Sequence, residues 1–159
     1  MDAVQLIGVG RRALAQSHEV PGIMAEAWQA QALAQAVGSR LAVGGPPELR
    51  SEALGLSEVG GRGCGALNVP ELRTEEVRAS LLTEIGDAHQ ALLELGVMLG
   101  EVGIALVDTA CRAGEDGVYW QCMEAIDAAD EGRDRVVEML RKLAARDENL
   151  PEPDSAGTS

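Results

Sequence analysis

Phenylalanine is absent from this 159-residue chain, tyrosine occurs once and tryptophan twice. Its interior must therefore be filled by aliphatic side chains, and 24 alanines and 19 leucines are present to do so. Lysine is nearly missing as well. Of 13 basic residues only Lys142 is one, against 26 acidic residues and a net charge of −13. A chain this acidic repels phosphate backbones, which argues against a DNA- or RNA-binding protein. The longest run without a charge, Ala27 to Ser39, has 13 residues. That is short of the roughly 20 needed to cross a bilayer, so no membrane span is expected. Met1-Asp2-Ala3-Val4-Gln5 is acidic and lacks an apolar signal core, which argues against export. Cys64, Cys111 and Cys122 are odd in number and have no C-x-x-C spacing. They form no disulfide scaffold and suit a reducing compartment, so the expected location is cytoplasmic. Abundant alanine, glycine and arginine without phenylalanine is the composition of a GC-rich genome.

What is present is a globular balance, 46% apolar and 25% charged residues, in a length that suits one domain. Apolar spacings of three and four dominate, with no run of alternating strand residues. A first helix is expected over about Asp2 to Gln16, with Asp2 as N-cap. A second opens at Pro21, in a favoured first-turn position, and runs to about Val43, where Gly44-Gly45-Pro46-Pro47 stops it. A shorter helix spans Glu48 to Val59, and Gly60-Gly61-Arg62-Gly63-Cys64-Gly65 reads as a loop. Thr74 caps a further segment ending near Gly86. After Asp87 the periodicity is strongest, with Leu92, Leu95, Leu99, Val102, Leu106 and Ala110 in register. The last helix runs from about Glu115 to Arg146. The expected architecture is all-α: a single helical bundle of five to six helices over residues 1–148, with a disordered C-terminal tail over 149–159.

Gly96, Gly100 and Gly103 lie at helical spacing, and glycine there costs about 1 kcal/mol of helix propensity each. Close approach of a neighbouring helix is the expected return. Di-metal bundles carry Glu-x-x-His pairs, but Ala15 and Gly86 stand three residues before His18 and His89. Asp87 and His89 face different ways on a helix and read as an exposed pair. Asp127, Glu131, Gly132 and Glu138 match four positions of a calcium loop, but Ala129 offers no oxygen at the third. They read instead as a solvated face with Glu131–Arg135 and Glu138–Lys142 pairs. The glycine-rich stretch matches neither phosphate-binding pattern. No metal, cofactor or catalytic residue is expected. Cys64, beside Arg62, is a candidate reactive thiol, with a bystander as the alternative.

With so few rings, Trp28, Tyr119 and Trp120 are each expected to anchor a helix contact or a subunit contact. Alternatively, Trp28 and Trp120 line a small-ligand pocket with Gln31 and Gln35, because buried amides demand partners. Charge is uneven: residues 1–69 carry five basic and six acidic groups, while residues 114–159 carry five against twelve. A basic protein partner would be steered toward that acidic end. A protein partner is expected, and a second copy of the chain is included among the candidates.

The runs Ala27-Trp28-Gln29-Ala30-Gln31-Ala32-Leu33-Ala34-Gln35-Ala36 and Gly61-Arg62-Gly63-Cys64-Gly65 resemble a family of uncharacterised Streptomyces proteins, a domain of unknown function. So do Leu99-Gly100-Glu101-Val102-Gly103-Ile104-Ala105-Leu106-Val107 and Tyr119-Trp120-Gln121-Cys122, and the likeness covers nearly all of the chain except the tail. The resemblance implies an actinobacterial origin and a helical fold, and brings no activity with it. The expected function is a non-catalytic interaction or structural bundle, with a small-ligand binder as the alternative and a carboxylate- or metal-dependent enzyme ranked last.

Overall fold

The computed structural model describes residues 1–67 and 76–149. They form five α-helices: α1 (Ala3–Ala15), α2 (Val20–Gly44), α3 (Arg50–Ala66), α4 (Ala88–Arg112) and α5 (Asp116–Asn149). The all-α bundle is as expected, and its termini follow local chemistry. Asp2 accepts from the Gln5 backbone N–H at 2.8 Å while the Gln5 side chain accepts from Asp2 N–H, a reciprocal cap. Asp87 does the same duty for α4, accepting from Gln90 N–H at 3.0 Å. Pro21 sits in the first turn of α2, where its missing N–H costs nothing.

α2 and α3 pair antiparallel, as do α4 and α5, and α3 packs on α5 to join the two hairpins; α1 lies against α2 and α4. The core is aliphatic throughout. Leu6, Leu49, Leu56, Leu92, Leu95, Leu99 and Leu106 are all fully buried, with Met98 and Met139 between them. The stripe singled out on α4 is the inner stripe: Leu92, Leu95, Leu99, Val102, Leu106 and Ala110 are all buried. α4 has the length and apolar content of a membrane-crossing helix, with mean hydropathy 1.7, yet ten of its residues are buried inside the bundle.

Three expectations need correction. Gly60 to Gly65 is not a loop, because α3 continues through it to Ala66. Thr74 lies outside the described residues, and the described part of the segment ending at Gly86 is a short 3-10 turn, Arg78–Leu81, in extended chain. Side chains of α2 hold this stretch in place. Gln29 donates to the Glu76 carbonyl and accepts from Arg78 N–H, both at 3.0 Å, and Arg40 donates to the carbonyls of Thr83 and Leu82. The Ala3 and Thr83 N–H groups close a single parallel bridge there. Finally, the Glu131–Arg135 and Glu138–Lys142 pairs do not form within α5. Arg135 and Lys142 both turn to Glu52 on α3, Glu131 takes Arg62, and Glu138 takes Arg141. That face of α5 is a helix interface, which is why Glu131, Arg135 and Lys142 pair across it. α5 extends to Asn149; residues 150–159 of the expected tail lie outside the described residues.

Candidate functional site

The α3 glycines explain themselves at the crossing with α2. A Cβ on Gly60 would stand 2.7 Å from the Gln35 nitrogen and 2.9 Å from the Gln31 carbonyl oxygen. One on Gly63 would stand 2.5 Å from the Gln31 side chain. Across the same contact a Cβ on Gly38 would lie 2.7 Å from both the Ala53 carbonyl oxygen and the Ser57 nitrogen. The two backbones are close enough that only hydrogen fits between them. A glycine-rich run, read locally as flexible, is here the bearing surface of two rigid helices.

This crossing gathers four of the residues singled out by sequence. Gln31 is 1% exposed and its Nε2 has no hydrogen-bond partner among the described residues. Gln35 lies with its amide against Gly61. Trp28 is half-buried and packed on the core, and its carbonyl accepts from the Cys64 thiol at 3.6 Å. Cys64 is thus a half-buried helical thiol, not an exposed one in a loop. Tyr119 and Trp120 stand instead in the first turns of α5, stacked edge-to-face with centroids 5.2 Å apart. Trp120 is 65% exposed among the described residues. The structure therefore groups the rings as one half-buried indole on α2 and one exposed pair on α5.

Three clefts formed by described residues lie elsewhere. One of about 360 Å³ lies where the end of α2 meets the start of α4, lined by Arg40, Gly45, Pro46 and Ile85. The other two are shallow grooves between α1 and α4, both walled by Arg11 and Glu101, one of which reaches Ile104. Arg11 bridges Glu94 and Glu101 across them, at 2.9 and 2.5 Å, and the Glu101 bond raises its guanidinium above the ordinary arginine range. Among the described residues no group of three histidine, cysteine or carboxylate side chains converges as a metal site. Asp87 is used as a cap, and Asp127 to Glu138 lie on one uninterrupted helix.

The feature that sequence reasoning missed is on the outside of α4. Leu93, Val97, Ile104 and Val107 are exposed, Ile104 by 75%, and so is Cys111. With Gly100 between them they recur at alternating spacings of four and three, a single stripe along the helix. Val137 on α5 is exposed beside it, next to Val136, which meets Gly96. Of eleven large apolar side chains exposed among the described residues, these five share one face. The signal was legible: α4 is apolar on two sides, whereas a helix covered on one side needs only one apolar stripe.

The comparisons bear on identity alone. Searches among curated proteins and among solved structures found no match. The model of a family of unknown function, DUF6099, matches residues 1–142, which span all five helices up to the last turns of α5. The chain therefore belongs to the DUF6099 family.

Proposed function

We propose that this protein works by binding another protein rather than by catalysis, in the cytoplasm of an actinobacterium. The observation that carries the reading is the apolar stripe on the outer face of α4. An exposed row of branched side chains loses free energy to water at every position, about 25 cal/mol per Å², and a partner helix or groove relieves it. The surrounding surface is acidic, which keeps the chain dispersed and biases encounter toward partners with basic rims. The actinobacterial setting rests on the composition and on the family resemblance, and the cytoplasmic one on an odd number of cysteines without C-x-x-C spacing.

The test is affinity capture from an actinobacterial lysate with the full chain and with Ile104→Glu. Proteins retained by the first and lost by the second support the reading. Identical retention by both overturns it. A second reading, a small apolar or cationic ligand held beside Trp28, draws support from the unpartnered Gln31 amide. It requires tryptophan fluorescence that changes on adding small molecules extracted from the same cells, and native mass spectrometry without any adduct would remove it.

A further inference from the structure

Resting on that interaction reading, we propose that the outer stripe of α4 is the seam of a dimer of this chain, with two copies of α4 side by side and parallel. The spacing carries the first step. Leu93, Gly100 and Val107 lie seven residues apart, as do Val97, Ile104 and Cys111, and a seven-residue repeat keeps one stripe facing a second helix along its length. A two-fold interface uses the same patch on both subunits, so a stripe that is apolar along its whole length is its own complement.

Charge chooses the direction. On the α1 side of the stripe run Glu94, Glu101 and Asp108, at intervals of seven. On the α5 side Arg133 lies over Gly100, 3.5 Å from where its Cβ would be, and makes no ion pair among the described residues, with Asp130 one turn away beside Gly103. A two-fold axis parallel to α4 sets the Glu101 flank of one copy against the Arg133 flank of the other, on both sides at once. An axis perpendicular to α4 instead faces the Glu94, Glu101 and Asp108 flank of one copy with the same flank of the other. Flanking charges set helix orientation in this way in coiled coils. Glu101 spends Oε1 on Arg11 and keeps Oε2 for the second copy. The net charge of −13 opposes association at long range, but about 0.1 M salt screens charges beyond ~10 Å, leaving the seam to decide. A seam from residue 93 to 111 is roughly 27 Å long, which belongs to small, reversible interfaces rather than permanent ones.

Parallel packing brings each Cys111 onto the other copy's Cys111, and that is the readout. Sedimentation equilibrium of the full chain is expected to show a concentration-dependent dimer. Ile104→Glu is expected to weaken it at least tenfold and Arg133→Glu several-fold, both with the wild-type helical circular dichroism. Mild treatment with diamide, which takes two electrons and two protons from two thiols as one S–S bond forms, is expected to give a covalent dimer joined at Cys111. Cys111→Ser is expected to abolish the cross-link and leave the sedimenting dimer intact. Where Ile104→Glu misfolds, Val107→Lys replaces it. A wild-type chain that stays monomeric throughout overturns the proposal; retention of an Ile104-dependent partner from lysate in that case leaves the broader interaction reading standing. A Leu93→Cys variant that links to Cys111 of the other copy, identified by peptide mass, overturns the parallel arrangement.

Discussion

Two helix pairs in this molecule carry glycines at contact positions, and they use them differently. Where α2 crosses α3, the would-be Cβ atoms of Gly38 and Gly60 fall 2.7 Å from backbone atoms of the opposite helix. Where α4 meets α5, those of Gly96, Gly100 and Gly103 fall 3.3, 3.5 and 3.9 Å from side-chain atoms of Val136, Arg133 and Asp130. Backbone cannot step aside, whereas a side chain changes rotamer. The first crossing is locked by glycine and the second merely tolerates it. Helical glycine spacing in a sequence thus says that something lies close, and only the identity of the nearest atom says how much depends on it.

The largest test of that contrast is Gly38→Val. Its Cβ and two methyls must displace the Ala53 carbonyl and the Ser57 nitrogen, so α2 and α3 separate along their length. Overpacking of this kind costs about 3 kcal/mol. For a chain of this size that lowers Tm by roughly 6–12 °C, measured by calorimetry. A shift of only a degree or two would mean that the crossing is looser than its distances imply.

The same crossing buries Gln31, and there the expected sign reverses. Its Nε2 has been taken out of water without a partner among the described residues, which costs about 1–3 kcal/mol of desolvation. Gln31→Met keeps the length of the side chain and removes the amide. Urea unfolding is expected to show a gain of about 1 kcal/mol. A loss of that size would show that the amide does bond something inside the protein, and would remove the support it lends the ligand reading.

How much of this was written in the sequence follows from what each signal measures. The all-α bundle, the Asp2 cap and the inner stripe of α4 were legible, because capping and periodicity are local and repeat over many residues. The continuation of α3 through Gly60 to Gly65 was not. Glycine's local preference is to leave a helix, and what overrides it is a helix from elsewhere in the chain, which no local pattern records. The α5 pairs failed for the same reason. Glu131 and Arg135 stand at the right spacing to meet, but Glu52 and Arg62 on α3 offer partners across the helix interface. Of the candidate site, Trp28, Gln31 and Gln35 were found through their scarcity or polarity. The outer stripe of α4 was overlooked because the inner stripe, of the same period, accounted for the helix.

The second pair of helices carries a thiol with a displaced titration. Burial pushes the Cys122 thiol up from its ordinary value, since the thiolate is denied water there. The folded state therefore holds its proton to higher pH than the unfolded one. Its contribution to stability is complete below the unfolded thiol range, about 8.5, and is lost as pH rises beyond it. Unfolding at pH 7.5 and 9.5 is expected to differ by up to about 1 kcal/mol more in the wild type than in Cys122→Ala. In the same experiment a disulfide reagent is expected to find Cys111 first, Cys64 more slowly, and Cys122 only with unfolding, in order of exposure.

The smallest effect is also the sharpest, because one chemical change is expected to have opposite signs in the two pairs. Replacing glycine by alanine inside a helix gains about 1 kcal/mol, since the unfolded chain has less freedom to lose. At Gly103 the added methyl meets only the Asp130 carboxylate, at an ordinary 3.9 Å, so most of that gain is kept. Gly103→Ala is expected to raise stability by about 0.5–1 kcal/mol. At Gly60 the same methyl lands on the α2 backbone at 2.7 Å, and the strain exceeds the gain. Gly60→Ala is expected to lower stability although its intrinsic helix propensity rises by the same amount. Denaturant midpoints of the two variants, with equal slopes, read the difference directly. Two gains would mean that α2 and α3 relax apart without penalty, and the glycines of α3 would lose their structural reason. Two losses would mean that α4 and α5 are pressed together as tightly as α2 and α3, and that Gly103 serves the same purpose there.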